Sequence, residues 1–311
     1  MRRRDFLAGA AAAAGAAAGL PACAQTQAQT QGQTAAQTAG RIVRKGRIKQ
    51  GLWRVNFGAN FGEDSPFTVE DMCRHAARLG AAGFDLFSFD DLPLMRSYGL
   101  ELLLTGPGQM DFLTGLIHPE VHDTVEAALK AQADLCAQHG VKAIAVNAGQ
   151  LRGLSLAEAA DNAVAVCSRV GPYLAERGVH LAIENVNDVR PADSGLGRTD
   201  MAFGHWDWGV DVCRRVNSPG VKLLCDVYHL QIMDGDVAWR IRETADCIGH
   251  FHVAGVPSRR EIDASQELNF RYIAEVIADL DYDGYVSHEW RPSPGRDPLD
   301  SIAQAMDIMD V

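Results

Sequence analysis

From about residue 48 the chain alternates, eight times over, a short apolar run of strand length with a stretch whose apolar residues recur at helical spacing. The runs are Gly51–Phe57, Phe84–Phe89, Leu102–Thr105, Ala143–Asn147, His180–Asn185, Val221–Val227, Gly249–Ala254 and Tyr285–Trp290. Between them lie helical stretches at Thr68–Leu79, Pro119–His139, Ser155–Arg177, Trp206–Val216, Val237–Cys247, Phe270–Leu280 and Pro298–Met309. The second unit is weakest, with only Asp90–Tyr98 available for its helix. Thr68 opens the first helix as a cap, and Ser155 with Glu158 has the spacing of a capping box. Eight strand–helix units in roughly 260 residues fit a single closed (β/α)8 TIM barrel over residues 48–311. An open doubly wound sheet is the alternative, but no Gly-rich phosphate loop follows the first strand.

The residues ahead of the barrel carry a different pattern. Arg2-Arg3-Arg4-Asp5-Phe6-Leu7 puts twin arginines and Phe-Leu before an Ala/Gly-rich run that is too short and too weakly apolar to span a membrane. Residues 1–23 therefore read as a twin-arginine export signal, with the periplasm as destination. Leu20-Pro21-Ala22-Cys23 has the outline of a lipobox, which would leave Cys23 as a lipid-anchored N-terminus. Cleavage after Ala24, at Ala22-Cys23-Ala24, is the competing outcome and gives a free protein. Residues 24–47 read as a linker, because its Gln/Thr/Ala/Gly stretch 24–40 has nothing with which to bury a core. Cys73, Cys136, Cys167, Cys213, Cys225 and Cys247 lack paired spacing and read as small buried residues.

In a (β/α)8 barrel the chemistry sits at the C-terminal ends of the strands. Polar residues ending a strand are therefore the candidates, and strands five to eight each supply one: Glu184, Asp226, His252 and Glu289. Their separations of 42, 26 and 37 residues each approximate one strand–helix–strand repeat. Within each strand the candidate shares a face with the residue two before it, so four inward faces would converge on one point. Three carboxylates and an imidazole suit one divalent metal ion, Mn2+, Mg2+ or Co2+. Taken singly, each residue has a plainer reading as a cap, an ion-pair partner or a hydrogen-bonded core histidine; four in consecutive repeats favour the metal. With 29 basic and 40 acidic residues, a formal charge of −11, the surface repels phosphate backbones, and no nucleic acid is expected as partner.

At these residues a family resemblance enters. Asp226-Val-Tyr-His229-Leu-Gln-Ile-Met-Asp-Gly-Asp236 resembles the strand-six signature of hydroxypyruvate isomerases, and His252-Val-Ala-Gly-Val-Pro-Ser-Arg259 their strand-seven segment. Glu184-Asn-Val-Asn187 and Gly284-Tyr-Val-Ser-His-Glu289 are similar to strands five and eight. More broadly, the chain resembles the xylose-isomerase-like superfamily, which includes ketose 3-epimerases and inosose dehydratases. The resemblance implies a metal-dependent isomerase or epimerase acting on an unphosphorylated sugar or hydroxy-keto acid through an enediolate. It places the paired acid/base glutamates on Glu184 and Glu289, and substrate contacts on His229 and Arg259. For His229 a role in orienting Asp226 is an equal alternative.

The sequence also departs from that family. Ser88, with Asp90 two residues on, stands where a strand-two Glu is common, and Asn147 follows Ala145 where strand four tends to carry His. His252 replaces a frequent Gln, and the segment Asn187–Trp208 is long and rich in Trp, His and Arg. Ser88 and Asn147 are therefore expected to line an altered substrate pocket. A lyase or dehydratase acting on a keto-inositol or 3-keto-glycoside, with Trp206 and Trp208 seating the ring, is the second reading. An endonuclease would need more histidines on strands two to four, which offer Ser88, Thr105 and Asn147. A non-catalytic sugar-binding lipoprotein is a further alternative, and a homo-oligomer is compatible with all of these.

Overall fold

A strand overlaps each of the eight expected runs, the first, second, third and seventh starting one or two residues earlier than expected: β1 Lys49–Leu52, β2 Gly83–Asp85, β3 Glu101–Leu104, β4 Ala143–Asn147, β5 His180–Glu184, β6 Val221–Asp226, β7 Ile248–Val253 and β8 Tyr285–His288. The computed structural model describes residues 40–58, 65–110, 115–189 and 200–311. The expected export signal, the Cys23 site, most of the linker and residues 190–199 of the Asn187–Trp208 segment lie outside the described residues.

All strand pairs are parallel, in the order β3-β2-β1-β8-β7-β6-β5-β4. Thr105 nearly closes the ring: its N–H donates to Ala143 O at 3.1 Å, and its carbonyl accepts from Ala145 N at 2.8 Å. The helices are α1 Val69–Leu79, α2 Leu92–Ser97, α3 His122–His139, α4 Leu156–Glu176, α5 Trp206–Val216, α6 Val227–Met233, α7 Val237–Glu243, α8 Phe270–Ala278 and α9 Pro298–Ile308. The expected caps are in place. Thr68 Oγ1 accepts from Asp71 N, and Ser155 Oγ accepts from Glu158 N while Ser155 N donates to the Glu158 carboxylate; each such cap is worth about 1 kcal/mol.

The apolar residues form two separate cores. Inside the barrel, Leu104, Ala143, Ala182 and Leu224 pack together with Ala145. Between strands and helices lies the much larger second core, which includes Leu52, Phe84, Ile144, Ile183 and Phe251. Strand alternation produces this division, and it puts Ala182 and Glu184, and likewise Leu224 and Asp226, on the inward face. The four candidates sit at the mouth above this apolar layer, in which His250 is paired with Leu224. The six described cysteines are free and buried, and burial pushes the thiols of Cys73, Cys136 and Cys167 up to about 12.

Several expected boundaries are corrected. The first strand stops at Leu52 and Arg54–Phe57 forms a 3-10 turn, because Asn56 Oδ1 accepts from Trp53 N at 2.7 Å and bends the chain. The second strand ends at Asp85, at a register shift between Phe84 and Asp85 followed by Leu86 in the left-handed region (φ 58°). Val237–Cys247 divides into α7 and a 3-10 turn at Ala245–Cys247, and α6 starts directly on Asp226 where no helix was anticipated.

Two histidines, the buried His288 and the half-buried His180, make the fold sensitive to acid. Trp290 Nε1–H donates to His288 Nδ1 at 3.1 Å, so Nε2 carries the proton toward Gln50 Oε1, 2.9 Å away. Burial, with Arg44 adding to it, pushes His288 down to about 3; burial and then His250 push His180 down to about 4. Both groups bind protons only in the unfolded chain once the pH passes below about 6.5. Their contribution is therefore complete above that value and is lost as the pH falls toward 4, at about 2 kcal/mol each by pH 5. His252, whose pKa is raised, offsets part of this. Thermal melts of chelator-treated protein should show a lower Tm at pH 5 than at pH 7; equal values would contradict the neutral assignment.

Candidate metal and active site

The strand register lines the four candidates up at the barrel mouth. Glu184 ends β5 opposite Asn147 of β4, and Asp226 is paired with His252, itself paired with Ser287. Glu289 N–H donates to Val253 O at 2.9 Å, which extends the β8 pairing by one residue. One ligand atom from each of Glu184, Asp226, His252 and Glu289 lies within 4.8 Å of each of the others. Asp226, His252 and Glu289 are buried, while Glu184 is partly open to solvent.

Asp226 is held by its own backbone. It caps α6, its Oδ1 accepting from Tyr228 N at 2.8 Å and His229 N at 3.2 Å, while Asn185 bonds its main-chain N–H and carbonyl. Oδ2 receives no hydrogen bond although it is fully buried; Arg259 stands 3.6 Å away and His229 Nε2 3.5 Å away. Burial, and after it the charge of Glu289, pushes the Asp226 carboxyl well above the usual range. At Glu289 burial acts in the same sense, but Arg259 at 2.6 Å and His252 Nδ1 at 3.1 Å outweigh it and hold its pKa well below normal. His252 Nδ1 is also 3.6 Å from Glu184 Oε1.

Arg259 reaches the cluster from the loop after β7. Ser258 (φ 81°) and Arg259 (φ 52°) both adopt the left-handed region, at a cost of order 1–3 kcal/mol each. The loop is fixed by Gly255 N donating to Arg260 O at 2.9 Å and Arg291 N to Arg259 O at 3.1 Å. Burial disfavours the guanidinium charge, yet Glu289 and Asp226 more than compensate and raise its pKa. His229 accepts at Nδ1 from the main-chain N–H of Asn187, 3.0 Å away, so its proton sits on Nε2, facing Asp226. Burial, then Arg259, pushes His229 well below its ordinary value and keeps it neutral.

This donor set fits a hard divalent cation. Three carboxylates and one imidazole converge, and the buried Oδ2 of Asp226 has no hydrogen-bond partner among the described residues.

The other sequence candidates divide. Asn147 is buried beside Glu184, and its Nδ2 has no hydrogen-bond partner among the described residues. Ser88 is exposed, and its hydroxyl accepts from Asp90 N at 3.1 Å to cap the turn after β2. Trp206 is fully buried with Nε1 donating to Thr244 Oγ1, and the half-buried Trp208 packs on Phe203 and donates to Leu156 O. What β2 sends inward is Asp85, which the sequence reading missed along with His250. Asp85 Oδ2 lies 2.8 Å from His250 Nε2 and 3.0 Å from His252 Nε2. Burial disfavours the Asp85 charge, but the two imidazoles bring its pKa down to about 2. The available signal was an Asp within the apolar run Gly83–Phe87.

Comparison with known proteins follows the same lines. A family model described as xylose isomerase-like TIM barrel matches residues 73–310. A 2-oxo-tetronate isomerase of Cupriavidus necator is 38% identical over 121 residues, 39% of this chain and 44% of that protein. A putative hydroxypyruvate isomerase of Danio rerio is 39% identical over 82 residues, 26% of this chain and 30% of the relative. The chain thus aligns with less than half the length of these curated relatives. Among solved structures, a 3-keto-D-glucoside 4-epimerase from E. coli superposes with TM-score 0.66 at 18% identity, covering 84% of this chain and 99% of that one.

Proposed function

The chain belongs to the xylose isomerase-like TIM barrel family, and we propose that it is a metal-dependent isomerase or epimerase of an unphosphorylated hydroxy-ketone, sugar or keto acid. The observation that carries this reading is the pair Glu184 and Glu289, gathered with Asp226 and His252 around one point at the barrel mouth. The names of the relatives, 2-oxo-tetronate and hydroxypyruvate isomerases, support the substrate class.

Glu184, Asp226, His252 and Glu289 would hold the metal, Mn2+, Mg2+ or Co2+. When bound it would supply positive charge beside the carbonyl and hydroxyl oxygens, stabilising the negative charge that develops as a C–H proton leaves. Glu289 is kept ionised by Arg259 and His252, so its carboxylate can accept a proton from the carbon beside the carbonyl. The C–H electron pair passes into the enediolate. Glu184, partly open to solvent and carrying a proton taken from water, gives that proton to the neighbouring carbon or to the opposite face and becomes a carboxylate, while Glu289 passes the proton it took to solvent. The two roles exchange in the reverse direction. Arg259 would meet an anionic or hydroxyl oxygen of the substrate, and Asn147 Nδ2 would donate to another. His229 would steady Asp226 through its Nε2–H.

The lyase reading loses the support of Trp206, which is fully buried. Purified protein loaded with Mn2+ in D2O should incorporate solvent deuterium into at least one member of a panel of ketoses and hydroxy-keto acids, with substrate mass otherwise conserved. No label in any of them would overturn the assignment, and loss of water or an aglycone would move it to the lyase. Export through the twin-arginine pathway and lipidation at Cys23 complete the reading as a periplasmic enzyme.

A further inference from the structure

Asp85 combines features that stability alone does not favour. Its carboxylate is fully buried and its Oδ1 has no hydrogen-bond partner among the described residues, a state that costs about 1–3 kcal/mol. It sits at a register shift between β2 and β3, a device that re-aims a side chain. Leu86 beside it occupies the left-handed region at φ 58°, which a branched side chain disfavours. A site where local preferences fail together at one residue is where function is expected.

The geometry shows what the carboxylate does. Asp85 Oδ2 meets Nε2 of His252 at 3.0 Å and Nε2 of His250 at 2.8 Å. A carboxylate oxygen only accepts, so both imidazoles must donate from Nε2. The other nitrogen of His252, Nδ1, then faces Glu289 at 3.1 Å and Glu184 at 3.6 Å. His252 is therefore oriented from below by strand two, 167 residues away in the chain.

We propose that Asp85 is a positioning residue that fixes His252 with Nε2–H directed into the barrel and Nδ1 directed at the mouth, and thereby sets the affinity of the four-residue site for a divalent cation. The inference rests on reading Glu184, Asp226, His252 and Glu289 as a cation site. Asp85 acts through the ring, because its Oδ2 meets Nε2 while Nδ1 is the nitrogen turned to Glu289. His250 shares the same oxygen and limits its rotation.

The test measures binding of Mn2+ and Zn2+ by competition with a chromophoric chelator, without any substrate. Asp85→Asn should weaken the wild-type affinity by about 10–100-fold, as loss of a carboxylate behind a metal-bound histidine does. In a His252→Gln background the same substitution should change affinity less than twofold, because Asp85 then has no ring to orient. Equal weakening in both backgrounds, or an unchanged affinity in Asp85→Asn, would overturn the role of Asp85. A wild-type protein that binds neither ion would overturn the cation site itself. An imidazole 15N spectrum of the wild type with Zn2+ needs no variant: His252 should show a protonated Nε2 and a metal-shifted Nδ1. The reverse pattern would refute the proposal.

Discussion

Glu184→Gln and Glu289→Gln should each reduce solvent–substrate proton exchange by about 10²–10⁴-fold, the usual contribution of a positioned acid or base. Gln keeps the length and one coordinating oxygen but cannot take up a proton, so cation binding should weaken while exchange collapses. The two variants should differ in a readable way. Glu184 is partly exposed and stands 3.6 Å from His252 Nδ1, so its replacement should leave folding stability close to wild type. Glu289 is buried and is the anion nearest Arg259, so its replacement should lower stability as well as activity. Pre-steady-state exchange and chemical denaturation measured on both variants separate these effects. If either variant kept wild-type exchange, that glutamate would have no part in proton transfer. A wild-type protein that bound sugars without turnover would instead be a binding protein.

Arg259→Met should destabilise the metal-free protein by about 3–5 kcal/mol, because removing one partner of a buried ion pair leaves the other charged and uncompensated. Here the abandoned charge is the Glu289 carboxylate, 2.6 Å from Arg259 and left with the His252 imidazole as its neighbour. A divalent cation restores the missing positive charge, so Mn2+ should raise the Tm of Arg259→Met by more than that of the wild type. Denaturation with chelator and with Mn2+ checks both halves of the statement. An Arg259→Met protein as stable as wild type in chelator would show that the carboxylates do not depend on Arg259 for compensation. Its substrate affinity would then report separately on whether the guanidinium contacts the substrate.

The barrel was legible in the sequence because its signals are local and repeated. Period-2 runs such as Leu181–Glu184 and Leu223–Asp226 mark strand faces, and a repeat length near that of one strand–helix unit sets them side by side. Strand ends were harder to place. The first two strands stop short of their apolar runs because Asn56 competes for the main chain of Trp53, and because a register shift and left-handed Leu86 end β2. Trp206 and Trp208 looked available as a sugar platform, since composition cannot reveal that their indole N–H groups meet Thr244 and Leu156.

By itself the sequence determined which strand ends carry Glu184, Asp226, His252 and Glu289, and so which side chains a closed barrel brings to one mouth. Only the tertiary structure decided how those groups are charged and aimed. Asp85 lies 167 residues from the imidazole it orients, Arg259 reaches Glu289 through two left-handed residues, and His229 takes its tautomer from the Asn187 main chain. Side-chain periodicity is a property of each strand, whereas desolvation, ion pairing and donor–acceptor matching arise only between segments that closure has placed within a few ångströms of one another.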